Sequence, residues 1–384
     1  MAQRKRVGLV FSYNEEWIAG SYYILNIVQA LKTIPESLQP ELVILTESIA
    51  NFEYLKSETN YPYLEYVPFP FSPPRYSIVE RAINKACRIL KLKHLIVKTP
   101  KGLPKIDMLY PKQINGLFKN LKSINWIPDF QEDHLPQFFS AIDIKNRKDY
   151  QKNILTKSDI VVFSSENAKQ DFDRLYPQSK SRRYVLPFAV TLPDFSHENI
   201  DELKEKYELT NHYFFVPNQF WAHKNHIIVL KAIKRLSDRG LKINIAMSGK
   251  ENDYRNVDNF KQLKNFVFKN DIETHIRFLG FISRTEQLCM MKHAIAIIQP
   301  SLFEGWSTVV EDAKALNKLI VLSNLEVHVE QINENVMFFD PKDELELSNI
   351  LEELNLMSYI VKQLDYSKNI EEFGQRFYDL IALA

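Results

Sequence analysis

Short apolar runs followed by helical patterns recur along this chain, and that rhythm limits what it can fold into. Val7–Phe11 precedes the helix-like stretch Tyr22–Leu31, and Leu42–Leu45 is the next strand-like run. Asp159–Phe163, DIVVF, precedes the amphipathic Ala168–Leu175. Then come Tyr213–Val216 before Ile227–Leu236, Leu241–Met247, Ile276–Leu279 before Thr285–Lys292, and Ala294–Ile298 before Val309–Leu316. Lys318–Leu322 and Val336–Phe339 close the series. A strand followed by a helix meets the next strand through a crossover, which gives parallel pairing and helices on both sheet faces. The expected class is α/β, with doubly wound Rossmann-like sheets that bind ligands at the carboxyl ends of their strands.

The series runs twice. Its break falls at Leu186–Ser196, LPFAVTLPDFS, which holds two prolines and no periodic pattern and so reads as a linker. The expected domains are 1–190 and 191–359, facing each other across a cleft. One more helical pattern, Ile360–Ala384, is expected to pack back on the first domain. A length of 384 residues suits two domains. With 45% hydrophobic and 25% charged residues, the chain is not a disordered one. Lys plus Arg is 49 against 48 Asp plus Glu, so the net charge of +1 gives no whole-chain attraction to nucleic acid. Cys87 and Cys289 are far apart, which excludes a disulfide framework or zinc ribbon and suits a reducing cytosol. Val7–Phe11 is too short for a signal-peptide core, and no apolar stretch reaches the roughly 18 residues of a membrane span. A cytoplasmic location is expected.

The stretch richest in chemistry is Gln299–Glu311, QPSLFEGWSTVVE. A strand ends, a loop carries Glu304 and Gly305, and a helix starts near Ser307 or Thr308. The N–H groups around Ser307, Thr308 and Val309 would form an anion site. Glu304 and Glu311 could both point at one ligand and accept hydrogen bonds from sugar and ribose hydroxyls. Thr308-Val309-Val310-Glu311 also spells a capping box, and Glu304 also reads as a solvated loop carboxylate. Both pairs of readings stand at this point.

SLFEG…VVEDAKALNKLIVLS resembles the signature of the retaining nucleotide-sugar glycosyltransferases of the GT-B fold, the large family numbered four, or group 1. That family carries a Glu, seven residues and a second Glu at such a junction; here six residues separate Glu304 from Glu311. PNQFWAHKNH, Pro217–His226, resembles the loop whose lysine, here Lys224, pairs with the donor pyrophosphate. Asn218 stands near where many members have an arginine. FLGFISRTEQL resembles the loop that holds the donor base near Gly280 and Phe281, and MSG supplies a strand-end glycine, Gly249. In the first half, EEWIAGSYYILNIVQAL resembles a glycine loop near phosphate and acceptor, with Gly20 matching. INWIPDFQEDHLPQFFS, with Asp129 and His134, and VVFSSENAKQDF resemble two further blocks. Glu132 stands where some relatives have a histidine.

The resemblance implies transfer of a hexose-type sugar from a nucleotide diphosphate donor to a hydroxyl acceptor, with retention and in surface glycan or polysaccharide assembly. Lys224 and the N–H groups of 307–309 would take the leaving pyrophosphate, Glu304 the sugar hydroxyls and Glu311 the ribose. His134 reads as a residue touching the transferred sugar or as a helix cap. Trp306 reads as a donor-site residue or as packing under the loop. Same-face attack is implied, with the departing phosphate as base. No cofactor and no metal are expected. Asp171-Phe172-Asp173 spells a DxD, but within the predicted helix Ala168–Leu175, on what reads as a solvated face. His223 and His226 share a helical spacing without a third ligand nearby. Two alternative functions are a GT-B sugar-nucleotide epimerase and a non-catalytic nucleotide-sugar-binding protein.

The segment Arg81–Lys105 contains eight Lys or Arg and no acid, so the other 359 residues sum to −7. On a helix Val79, Ala82, Ile83, Ala86 and Leu90 share one face, and Arg81, Lys85 and Arg88 line another. One reading is a basic amphipathic helix in an anionic membrane interface, serving a lipid-linked glycan acceptor. The other is a surface helix whose apolar face packs on the sheet.

Overall fold

The structure is a computed structural model that describes residues 4–13, 18–71, 76–90, 96, 98, 100, 102–111, 117–118, 120–357 and 359–384. Four strands open the chain: β1 (Arg6–Val10), β2 (Glu41–Thr46), β3 (Leu64–Pro68) and β4 (Met108–Tyr110). They pair in parallel in the order β3-β2-β1-β4, with Val7 opposite Leu42 and Met108. A second, three-stranded sheet has the order β5-β6-β7, from Ile124–Ile127, Ile160–Phe163 and Arg182–Val185. The third is six-stranded: β8 (Phe214–Pro217), β9 (Ile245–Ser248), β10 (Ile276–Gly280), β11 (Ile297–Gln299), β12 (Ile320–Ser323) and β13 (Val336–Phe339). Its order is β10-β9-β8-β11-β12-β13, all parallel.

The apolar runs form strands because both faces of this sheet are covered. Phe214, Val216, Ile245, Met247, Ile298 and Val321 enter one buried cluster, and the alternate residues Phe215, Ala246, Ile297, Ile320 and Leu322 enter another. On one side the helix His226–Asp238 lays Val229, Leu230, Ile233 and Leu236 into the first cluster, where Leu347 and Leu351 of the helix Glu344–Leu356 join them. Those positions recur every three or four residues, the spacing of a one-sided helix.

By contacts the chain divides into two compact units. One comprises Met1–Trp126, Ser158–Val161 and Gly374–Ala384, the other Ile127–Lys157 and Val162–Phe373. The sequence rhythm groups 127–157 and 162–190 with the first domain, whereas contacts group both with the second unit; of the helical pattern 360–384 expected on the first domain, Gly374–Ala384 belongs to the first unit. Residues 186–195 contain neither helix nor strand. Within the first unit the end of the last helix, Ser367–Leu383, brings fully buried Phe377 edge-on to Tyr110, 5.4 Å between ring centroids.

The expected basic helix is present as Ile78–Ile89, capped by Ser77 and Glu80 in a capping box. Lys91, Lys93 and much of the rest of 81–105 lie outside the described residues, as do Glu15–Trp17 of the glycine-loop motif. No helix among the described residues is long and apolar enough to cross a membrane.

Phe377→Ala should lower the stability of the first unit by about 3–5 kcal/mol, the usual cost of emptying a buried aromatic site. Urea unfolding followed by tyrosine fluorescence checks this; a loss under about 1 kcal/mol would show that the ring is not part of the core.

Candidate active site

The order of the six-stranded sheet reverses between β8 and β11, and the residues just past those two strand ends lie side by side. In a doubly wound sheet this switch point is where a ligand fits. Asn218 and Gln299 bridge it, the Asn218 amide donating to Gln299 Oε1 at 2.6 Å. Gln299 Nε2 then donates to Glu304 Oε1 at 2.7 Å. Gly249, at the end of β9, has φ of 151° and approaches so closely that a Cβ there would lie 2.3 Å from the Asn218 carbonyl oxygen. Only glycine tolerates both conditions.

Lys224 closes the short turn Ala222–Lys224, whose first N–H donates to Asp253 Oδ2 at 2.9 Å. Asn225 follows in the left-handed region, φ 56°, and its amide donates to the carbonyls of Pro300 and Pro341. So placed, Lys224 Nζ donates to Glu304 Oε1 at 2.6 Å, and Ser301 Oγ reaches the same oxygen at 2.7 Å. Glu304 Oε2 has no protein donor among the described residues. Burial pushes the Glu304 carboxyl up, but Lys224, His328 and Ser301 together hold it below its ordinary value. Burial drives His223 well down, His226 to about 3 and His328 to about 4. These three rings are neutral near pH 7, so Lys224, not a histidine, is the cation that pairs with Glu304. An anionic ligand could replace Glu304 as the partner of Lys224.

The helix Thr308–Ala315 begins where expected, but Ser307 is its cap, accepting from Val310 N–H. Glu311 therefore sits one residue too late for a capping box, because the cap is Ser307 and not Thr308. Its carboxylate, almost wholly buried, accepts from Lys314 and Gln331 at 2.9 Å each and from Tyr366 at 2.5 Å. The Ser307 N–H, expected to be open to an anion, donates to Gln331 Oε1 at 3.1 Å. The N–H groups of Thr308 and Val309 have no protein acceptor among the described residues. Trp306 donates to the Phe188 carbonyl at 2.9 Å. Seven residues separate Glu304 from Asp312, but that carboxylate is fully buried and bound by both terminal nitrogens of Arg284.

Gly305 lies against the turn before Gln131: a Cβ there would stand 2.7 Å from the Pro128 carbonyl oxygen and 2.9 Å from Asp129 Cβ. Asp129 accepts from Gln131 N–H at 3.1 Å, and burial raises its carboxyl against the pull of Arg147. His134, in the turn Gln131–His134, holds its ring 5.0 Å from Phe303 and pairs with Asp171 at 2.6 Å. Asp171 does lie in a helix, Glu166–Leu175, as the sequence pattern predicts. It is not solvated, however: it is buried and bound by both His134 and Arg174. His134, Asn167, Gln170, Asp171, Arg174 and Glu326 are among the residues that line a polar cavity of about 540 Å³.

The remaining sequence candidates are Gly280, Phe281 and Gly20. Gly280, φ 69°, accepts from Gly249 N–H at 2.8 Å, and Phe281 is exposed beneath Lys250. Gly20 belongs to the first unit and sits in the first turn of the helix Ile18–Leu31, not in a loop. Sequence reasoning missed Gln299, Gln331 and Tyr366. A polar residue closing the apolar run of β11 was the available signal for Gln299; nothing marked the other two.

Residues 198–374 match the model of the glycosyl transferases group 1 family. An O-antigen chain mannosyltransferase, RfbU of Salmonella typhimurium, is 24% identical over 184 residues, 48% of this chain and 47% of the relative. The match thus spans about half of that protein's length. Among solved structures, Anabaena Alr3699/HepE in complex with UDP and glucose covers the whole of both chains with a TM-score of 0.65 at 15% identity. Sucrose-phosphate synthase from Thermosynechococcus elongatus covers 99% of this chain and 97% of its own, TM-score 0.60, also at 15% identity. These two likenesses show the shared GT-B fold, a mixed α/β architecture of parallel sheets.

The Asp171 hydrogen bond raises the His134 pKa above 6.5, and His134 together with Arg174 lowers the Asp171 carboxyl, although its burial opposes this. The sign follows from each direction. The histidine's contribution is full below pH 6.5 and is lost as pH rises through its raised value; the aspartate's is full above its ordinary 3.8 and is lost as pH falls through its lowered value. Titration of His134 by proton NMR should show a midpoint above 6.5 that drops in Asp171→Asn. An unchanged midpoint in that variant would mean the pair does not form in solution.

Proposed function

We propose that this group 1 glycosyltransferase moves a hexose from a nucleotide diphosphate sugar to a hydroxyl of a glycan acceptor, with retention at the anomeric carbon. The observation that carries this reading is the Lys224–Glu304 pair at the sheet's switch point, buried yet with Glu304 Oε2 open. A diphosphate entering beside Lys224 exchanges one anionic partner for another, so the cation is never left bare. The carboxylate then offers Oε2 to sugar hydroxyls, while Gln299 and Ser301 hold it in place through Oε1. The N–H groups of Thr308 and Val309, at a helix start, add fixed positive potential toward the departing phosphate.

In the transfer the bond from the anomeric carbon to the phosphate oxygen breaks as the acceptor oxygen bonds to the same carbon on the same face. The acceptor proton passes to the departing phosphate oxygen, and a nucleoside diphosphate leaves. The protein supplies position and electrostatics. Asp129 and His134 serve the acceptor side, where the polar cavity offers amides, carboxylates and a guanidinium, groups suited to hydroxyl-rich ligands. The similarity to an O-antigen mannosyltransferase and to an enzyme seen with UDP and glucose supports a hexose donor and a polysaccharide product. Glu311 acts through the fold, because its carboxylate already holds three donors and has little left for a ribose.

Glu304→Ala and Lys224→Ala should each cut sugar transfer by about tenfold or more, since one lost contact to developing charge typically costs a few kcal/mol. Radiolabelled donor turnover with a mixed glycan acceptor, alongside near-UV dichroism to check folding, measures this. Near-normal rates in both folded variants would overturn the site.

Transfer should also survive exhaustive EDTA. Lys224 carries the cationic duty, and Asp171 of the DxD is committed to His134 and Arg174. Loss of activity restored by magnesium or manganese would overturn that part of the reading.

A further inference from the structure

The helix Ile78–Ile89 sits the wrong way round for a surface helix. Such a helix normally buries its apolar stripe and turns its polar side outward. Here Cys87 is the buried residue, and Asn84 beside it exchanges two hydrogen bonds with the backbone of Ile96. The apolar stripe faces out instead: Ile78 is 80% exposed, Val79 67%, Ile89 70% and Leu90 67%, with Ile83 at 36%. Ala82 and Ala86 complete it, both exposed. Arg81, Lys85 and Arg88, also exposed, run along one border of the stripe. The helix's acid, Glu80, is occupied by its cap and by Lys98. The expectation that the apolar side packs on the sheet is therefore corrected.

We infer that this helix lies in the interface of an anionic lipid bilayer. The charge pattern selects that occupant. A second copy stacked on the same face would bring three cations against three, a like-charge contact that disfavours pairing. An anionic leaflet gives each cation a counter-charge and lets the apolar stripe enter the acyl boundary. In sequence, 81–105 holds eight basic residues and no acid. In the chain the helix follows the edge strand β3 of the first unit. On the reading proposed above, an acceptor carried on a lipid would be met at this membrane surface. The membrane contact itself needs no donor and is tested without one.

The full chain is sedimented with vesicles of phosphatidylcholine plus phosphatidylglycerol, and with phosphatidylcholine alone. Binding is expected to the anionic vesicles at low salt and to fall about tenfold or more at high salt, since screening shortens the attraction. Arg81→Glu/Lys85→Glu/Arg88→Glu and, separately, Ile83→Asp/Ile89→Asp should each abolish it while circular dichroism and donor turnover stay unchanged. Failure of the wild type to sediment, or equal binding to both vesicle types, overturns the inference. So does a dimer in light scattering that Ile83→Asp/Ile89→Asp dissolves, because the face would then belong to a second copy.

Discussion

A lysine and a glutamate meet at the switch point of the six-stranded sheet with 17% and 9% of their side chains exposed. Removing two charges from water is costly unless their geometry is good and their remaining capacity is satisfied. That requirement accounts for much of what surrounds them. Gln299 and Ser301 donate to the oxygen Lys224 already holds, Asn218 fixes the Gln299 amide, and Asn225 ties the lysine's turn to the loop that carries the glutamate. The nearby histidines His223, His226 and His328 are kept neutral by burial, so they add no charge to the pair.

The same logic governs the second buried carboxylate. Glu311 is surrounded by Lys314, Gln331 and Tyr366, and the Tyr366 hydroxyl also accepts the Val190 N–H at 3.0 Å. Burial beside Glu311 drives the Tyr366 hydroxyl far above its ordinary pKa, so it stays a donor at any working pH. Gln331 completes the arrangement by gripping both the N–H and the carbonyl of Ser307. The helix that starts at Thr308 is thus aimed by side chains from two other parts of the unit, Gln331 and Tyr366.

Much of the second unit was legible in the sequence, because its strands are continuous apolar runs covered on both faces and its helices carry a one-sided stripe. Phe214–Pro217 and Val336–Phe339 lie within a residue of their expected positions, and Ile320–Ser323 within two. The shorter or more polar elements were not legible. Met108–Tyr110 is only three residues long, and Ala141–Lys157, AIDIKNRKDYQKNILTK, has too thin an apolar stripe to announce a helix. In the site, Lys224 and Glu304 were legible because their residue types and loop positions fit one purpose. The commitment of Glu311 and the Ser307 N–H to Gln331 was not, since it depends on a residue twenty positions further on, on the helix Glu326–Gln331. Asp171 was misjudged because spacing reveals a helix face but not what packs against it.

Gly305 has a consequence for how such a chain can diverge. Its missing side chain is all that separates the loop of Glu304 from the carbonyl of Pro128 and the side chain of Asp129. Any larger residue there must push the 128–129 turn aside, and with it the residues leading to His134. Two loops more than 170 positions apart in the chain are thereby fused into one unit of variation. A change at 305 survives only with a matching change at 128–129, so the two loops should differ together between related chains, or not at all.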